Sequence, residues 1–293
     1  MKKSALLCVL AAGILWGCMG FFVRTLQNEY GFGSLQIVCL RLVFAALAFV
    51  ILGVIRRTPA IRLRHALLLF CTGFCGIMLL SVTYFLSMTY SSLSVAAILM
   101  YTAPAFVLIA SVILFKEKLT GTKILSLILA FAGCVFVSGI FGGDAKITAM
   151  GVVMGILSGI TYGSYSIFGT YALRKYDTYT VTTWAFIFAA LASLAVGNVP
   201  DIVIKIASSE NNALRIIILS VGMGIFTAFM PFLLYTIGLS RTEPSKAIIV
   251  ASVEPLVATV LGFAVFGETP TVFSAVGIVL ILASVVLTTV KKA

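Results

Sequence analysis

Long apolar stretches, each closed by a few polar or charged residues, alternate along this chain from near its start to its end. From Ala66 to Phe115 no charged residue interrupts the run, which leaves room for two helices of about 20 residues, the length that crosses a hydrocarbon core. Ten such spans can be placed, near 4–23, 34–55, 66–87, 94–115, 124–141, 147–171, 178–198, 216–239, 247–266 and 271–290. Every connection is short, so no soluble domain is expected. The predicted class is an all-α integral membrane protein, with any chemistry inside the bilayer or at its rim.

The pattern is written twice. Between Tyr84 and Val137 the chain matches Tyr235 to Thr288 without a gap, through pairs such as Tyr84/Tyr235, Ser94/Ser245, Pro104/Pro255, Phe115/Phe266, Glu117/Glu268 and Thr120/Thr271. Upstream, Gly13 to Gly17 parallels Gly159 to Gly163, and the string Phe44 to Ala48 recurs as Phe188 to Ala192. Each half then holds five spans, with repeat units at 1–142 and 143–293. An odd number of crossings starts the second copy on the opposite side of the bilayer, so the halves are inverted. Inverted repeats suit alternating access to a midplane cavity between them; a sturdy duplicated scaffold is the plainer reading of the same symmetry.

Composition agrees with the pattern. With 61% hydrophobic and 10% charged residues, the chain has too little polar surface to coat a soluble globule. A net charge of +11 would suit nucleic acid if it were gathered on one face, but the basic residues are scattered between spans. With a cytoplasmic N-terminus, fifteen of the 20 fall on the inner side and four on the outer: Arg24, Lys146, Lys205 and Arg215. Arg41 lies inside a span. That is the positive-inside bias, and it places both termini in the cytoplasm of a cell with this chain in its plasma or inner membrane. Lys2-Lys3 and Leu15-Trp16-Gly17-Cys18 resemble a secretion leader, but bulky Trp16 disfavours cleavage and the stretch reads as the first span. Cys8, Cys18, Cys39, Cys71, Cys75 and Cys134 all fall in spans, and His65 is the sole histidine. A metal constellation is therefore not expected, nor any cofactor.

Ten spans in two fives, Trp16-Gly17 in span one, Arg41 in span two, Pro104 followed by Phe115-Lys116-Glu117, and Glu254-Pro255 followed by Phe266-Gly267-Glu268 resemble the EamA-type members of the drug/metabolite transporter superfamily. The resemblance covers essentially the whole chain. It implies a central cavity between the halves and export of small metabolites, amino acids or drug-like molecules by exchange or proton coupling. Ala103 stands where the second half has Glu254, so that glutamate serves one half only.

Arg41 and Glu254 are the ionisable groups well inside spans, and each costs about 2.5–3.5 kcal/mol to insert without a partner. Functionally, Glu254 is a proton or cation site and Arg41 a partner or substrate clamp; structurally, they are an ion pair or helix-end anchors. Pro104 and Pro255 each remove a backbone donor at equivalent mid-span positions, as hinges or as static bends. Trp16, Tyr84, Tyr101, Tyr162 and Tyr235 are candidate cavity walls for a flat, amphipathic or cationic substrate, although such rings also pack in interfacial belts. Gly151, Gly155, Gly159 and Gly163 recur every four residues and favour close helix packing. Glu117 and Glu268 are expected at hydrated span ends in structural roles, with a gating salt bridge as the alternative.

No clustered catalytic groups or phosphate-binding glycine loop appears, so an enzyme or an ATP-driven pump is disfavoured. A channel would need a continuous polar lining. The expectation is a secondary transporter of a small molecule, most simply an exporter; a lipid flippase of the same fold is the alternative, and a membrane-embedded enzyme the weaker one. Oligomeric state stays open.

Overall fold

Helices begin where a short polar side chain can hold the first free amide. Thr120 Oγ1 accepts from Lys123 N at 3.3 Å, Thr148 Oγ1 from Gly151 N at 3.1 Å, and Asp177 Oδ1 from Thr180 N at 2.9 Å. They end where the chain turns left-handed, at Gly31 and Gly267, and at Lys116, which holds φ 58° at the position equivalent to Gly267. The computed structural model describes residues 2–142, 147–209, 212–267, 269 and 271–290. Glu268 and Lys146, named above, lie outside the described residues.

All regular structure among the described residues is helical. Eight helices are long and apolar enough to cross a membrane: Ser4–Tyr30, Ser34–Ile55, Leu63–Tyr90, Ser94–Phe115, Ala149–Leu173, Ala213–Leu239, Pro244–Phe266 and Val272–Thr289. Thr178–Leu194 joins them as the seventh span, and the shorter apolar helix Gly121–Val137 is the fifth, which completes ten. Large apolar side chains such as Val54, Ile113 and Val279 point outward, as contact with lipid requires.

Two features differ from the sequence expectation. The link after span seven is not a bare loop: the chain bends by 82° into a helix, Val199–Ser208. Pro200 sits in its first turn, Ile202 packs into a cluster with Phe32, Ile37 and Ile216, and Asp201 accepts from Gln36 at 2.6 Å. Spans four and nine, moreover, are not helices kinked at proline. Each stops, at Tyr101–Thr102 and at Ser252–Val253, and restarts at Ala103 and Glu254 with Pro104 and Pro255 in the first turn of the new helix. A proline there leaves no amide unsatisfied that would otherwise be bonded.

The repeat reappears in finer detail. Spans three and eight each carry a π-helical stretch, Phe74–Leu79 and Ile225–Phe229, opening just after the equivalent glycines Gly73 and Gly224. At these glycines a neighbouring backbone comes close: a Cβ on Gly73 would fall 2.0 Å from the Ala185 carbonyl, and one on Gly224 3.2 Å from that of Arg41.

The halves do not form separate bundles. Span one packs on eight, two on seven, three and four on six, and five on ten, so each span finds its main neighbour in the other half. Glycines permit the tightest contacts. A Cβ on Gly17 would lie 2.7 Å from the Glu254 carbonyl, and one on Gly163 would lie 3.5 Å from the equivalent Ala103 carbonyl. The stripes on spans one and six thus press on the interrupted helices of the opposite half. The largest core cluster holds Trp16, Phe49, Tyr165, Phe186, Phe232 and Tyr235.

Candidate functional site

The interruptions and the crossed packing leave a central cavity of about 490 Å³. Span one contributes Trp16, Gly17 and Arg24, span two Arg41, span three Ser81, Tyr84 and Met88, span four Met100 and Tyr101, span five Cys134 and Ser138, span six Tyr162, and span nine Glu254, Pro255 and Thr259. Arg24, Met88 and Ser138 lie toward the ends of parallel spans, so the cavity reaches the face that carries Tyr30, Tyr90 and Val137. Toward the other face the bundle is filled: Val9, Leu239, Ser245, Ile248 and Ile249 are all buried.

Of the candidate wall residues, Trp16, Tyr84, Tyr101 and Tyr162 line the cavity. Tyr235 does not. It lies behind the wall, 5.4 Å from Trp16 by ring centroids and bonded to Ser166 Oγ at 2.7 Å. Pro255 lines the cavity, whereas Pro104 is packed behind it.

Both intramembrane charges face the cavity, and they do not form an ion pair with each other. Arg41 donates one hydrogen bond to protein, from Nη2 to the Thr227 carbonyl at 2.7 Å, and its Nε has no acceptor. Thr227 belongs to the π-helical stretch of span eight, where the widened turn offers a carbonyl to a neighbour. Glu254 opens the second segment of span nine and accepts a long hydrogen bond, 3.4 Å, from the Tyr162 hydroxyl.

A second charged group, at the closed end, has the opposite character. Lys123 Nζ donates to Glu117 Oε2 at 2.7 Å and lies 3.0 Å from Glu243 Oε2; Lys246 lies 3.1 Å from the same Glu243 oxygen. Ser245 Oγ also donates to Glu117. Lys123 and Glu117 are 4% and 6% exposed, so Glu117 is a buried, paired carboxylate rather than the hydrated span-end residue the sequence suggested. Burial alone would raise the Glu243 carboxyl, but hydrogen bonds from Lys123 and Lys246 outweigh it and hold the group below its ordinary value. Glu117 and Lys123 belong to one half, Glu243, Ser245 and Lys246 to the other, so the cluster ties the halves together. The sequence signals near it are the repeat matches of Ser94 with Ser245 and of Glu117 with Glu268, the latter with a gating salt bridge as its alternative reading. Nothing in the sequence pairs Lys123 with Glu243.

The sequence profile described as the EamA-like transporter family matches residues 3–139 and again 149–290. The chain belongs to this family. As a family member it is a multi-pass membrane transporter, and its membership implies a small-molecule substrate. Similar proteins include an uncharacterized transporter of Archaeoglobus fulgidus, 26% identical over all of both chains. The uncharacterized transporter YxxF of Bacillus subtilis is 24% identical over 99% of this chain and 91% of its own. The uncharacterized inner membrane transporter YicL of Salmonella typhimurium is 23% identical, covering 97% and 95%. One solved crystal structure shares the fold at a TM-score of 0.78 and 17% identity, over 98% of this chain and 96% of that one.

Proposed function

We propose that this EamA-like protein is a secondary active exporter of small organic metabolites, amino acids or drug-like compounds, working by alternating access in the plasma or inner membrane with both termini in the cytoplasm. The observation that carries the reading is a midplane cavity open toward one face and sealed toward the other, built by two inverted, interlocked halves. The sealed face carries the excess of basic residues, including Arg56, Arg174, Lys123 and Arg241, so it is the cytoplasmic one and the conformation is outward-open.

The repeat units 1–142 and 143–293 exchange roles in the cycle. Pro104 and Pro255, just after the breaks in spans four and nine, mark the pivots; the glycines of spans one and six are the surfaces that slide on them. Trp16, Tyr84, Tyr101 and Tyr162 form the wall that meets substrate, and Tyr235 positions Trp16. Glu254 is the coupling group, carrying a proton or exchanged cation between faces. Closure of the inner side is held by the Glu117–Lys123–Glu243 cluster.

Purified protein in liposomes tests this. Counterflow of a metabolite found by thermal-stabilisation screening is expected to saturate and to lose its pH dependence in Glu254→Gln. Non-saturating flux without counterflow would reject a transporter in favour of a pore, and an unchanged pH profile would remove Glu254 from coupling. Cysteine labelling should find Arg56 and Arg241 positions on the same side.

A further inference from the structure

Lys123 shows how this protein treats a buried cation that serves structure: it is given two carboxylates and almost no solvent. Arg41 is treated differently. It stands inside the membrane span Ser34–Ile55 on the cavity wall, and among the described residues one backbone carbonyl is the sole acceptor for its donors. Among the described residues the one carboxylate lining the cavity is Glu254, near enough for its charge to act on Arg41 but beyond ion-pair distance, and bonded instead by Tyr162 and Tyr101. The equivalent position in the other half is Ala185, so repeat packing does not need a cation there. A guanidinium kept in place by Thr227 and left without an anion is a binding group awaiting one, because its planar donors match an oxyanion better than any other common ligand group.

We infer that the cavity takes small organic acids, with the substrate carboxylate docked on Arg41 and its apolar or aromatic body against Trp16, Tyr84, Tyr101 and Tyr162. This rests on the transporter reading and adds the substrate class to it. The tether to Thr227 gives the contact a mechanical consequence. An anion at Arg41 pulls on the guanidinium that also holds the π-helical turn of span eight, so carboxylate binding is sensed in both halves. The rings around Arg41 and Glu254 supply an apolar environment in which a charge-assisted hydrogen bond counts for more than in water.

Three probes sharing one body test the inference in detergent-purified wild-type protein: hydrocinnamate, hydrocinnamamide and phenylpropylamine. Thermal stabilisation titrations are expected to show hydrocinnamate binding tighter than its amide by on the order of tenfold to a hundredfold, the worth of a charge-assisted hydrogen bond. Arg41→Gln should erase that difference, and Arg41→Lys should keep part of it. Equal binding of acid and amide by wild type, preference for the amine, no saturable binding of the acid, or an undiminished acid preference in Arg41→Gln would each overturn it. The wild-type comparison needs no variant, so poor folding of Arg41→Gln leaves the test intact. Acid binding without counterflow of any solute would sink the transporter reading and leave the inference standing; counterflow of other solutes without acid binding would do the reverse.

Discussion

The closed end and the cavity of this EamA-like protein each bury charge, and they do so in opposite ways. At the closed end Lys123 is saturated, with Glu117 and Glu243 on it and Ser245 on Glu117. In the cavity Arg41 holds one hydrogen bond to a backbone carbonyl, and Glu254 is met only by the hydroxyls of Tyr162 and Tyr101. Charges that have each other lock two parts of a molecule together; charges that lack partners are left to ligands, protons or water. The symmetry of the repeat sharpens the contrast. The positions equivalent to Lys123 and Glu243 in the other half are Ser274 and Ser92, so the other face lacks this buried tie, and among the described residues its ion pair between the halves is the more exposed Arg215–Glu29, at 3.1 Å. The inner closure should therefore be firmer than the outer one, with outward-open as the resting state.

The strongest way to break the comparison is to exchange a methionine for each cation. Lys123→Met strands the buried Glu117 carboxylate and leaves Glu243 with Lys246 alone, and should destabilise the protein by about 3–5 kcal/mol, read as a large drop in melting temperature or lost expression. Arg41→Met removes one hydrogen bond and one unpaired charge, so its unliganded melting should stay within about 1 kcal/mol of wild type. Equal losses at the two sites would mean that Arg41 is as structural as Lys123.

A smaller effect probes the close approach behind the cavity. Gly17→Ala places a methyl against the Glu254 carbonyl and Val257, at 2.7 and 2.6 Å, and should cost about 1–3 kcal/mol together with transport rate. Gly20→Ala, where nothing lies within 4 Å, should melt as wild type does. Smaller again is Lys116→Gly. It relieves a left-handed residue where the second copy already has Gly267, and should raise stability by at most about 1 kcal/mol.

The smallest expected change is a null. Because the Glu243 carboxyl is held below its ordinary value, its contribution is complete above the ordinary carboxylate range and is lost only as acid carries the pH down through that lowered value. Between about pH 6 and 8 Glu243 should stay ionised, so it contributes no pH dependence to transport in that window. A Glu243→Gln variant with an altered pH profile in that window would contradict this.

Much of the plan was legible without coordinates. Ten spans, their inversion and the cavity-facing Trp16, Arg41 and Glu254 follow from apolar length, an odd repeat and the cost of a charge in lipid. The sequence places a hinge or a static bend at Pro104 and Pro255, and the structure has a break in the helix just before each. Proline marks where a helix restarts as well as where one bends, and only the neighbouring Gly13, Gly17, Gly159 and Gly163 backbones decide between them. Its repeat match with Tyr84 groups Tyr235 with the wall in the sequence. Tyr84 lines the cavity while Tyr235 packs behind Trp16, since a cavity open at one face places equivalent residues in unlike surroundings.

The sequence alone thus determined what is local or periodic: where the chain enters lipid, how many times, and that the second half repeats the first upside down. Tertiary structure decided what depends on partners far apart in the chain. It made the halves interlocked rather than side by side, set Lys123 against Glu243, and kept Arg41 from Glu254. Hydrophobic length is a property of consecutive residues, but whether a buried charge is satisfied depends on which distant group the packing brings within about 3 Å.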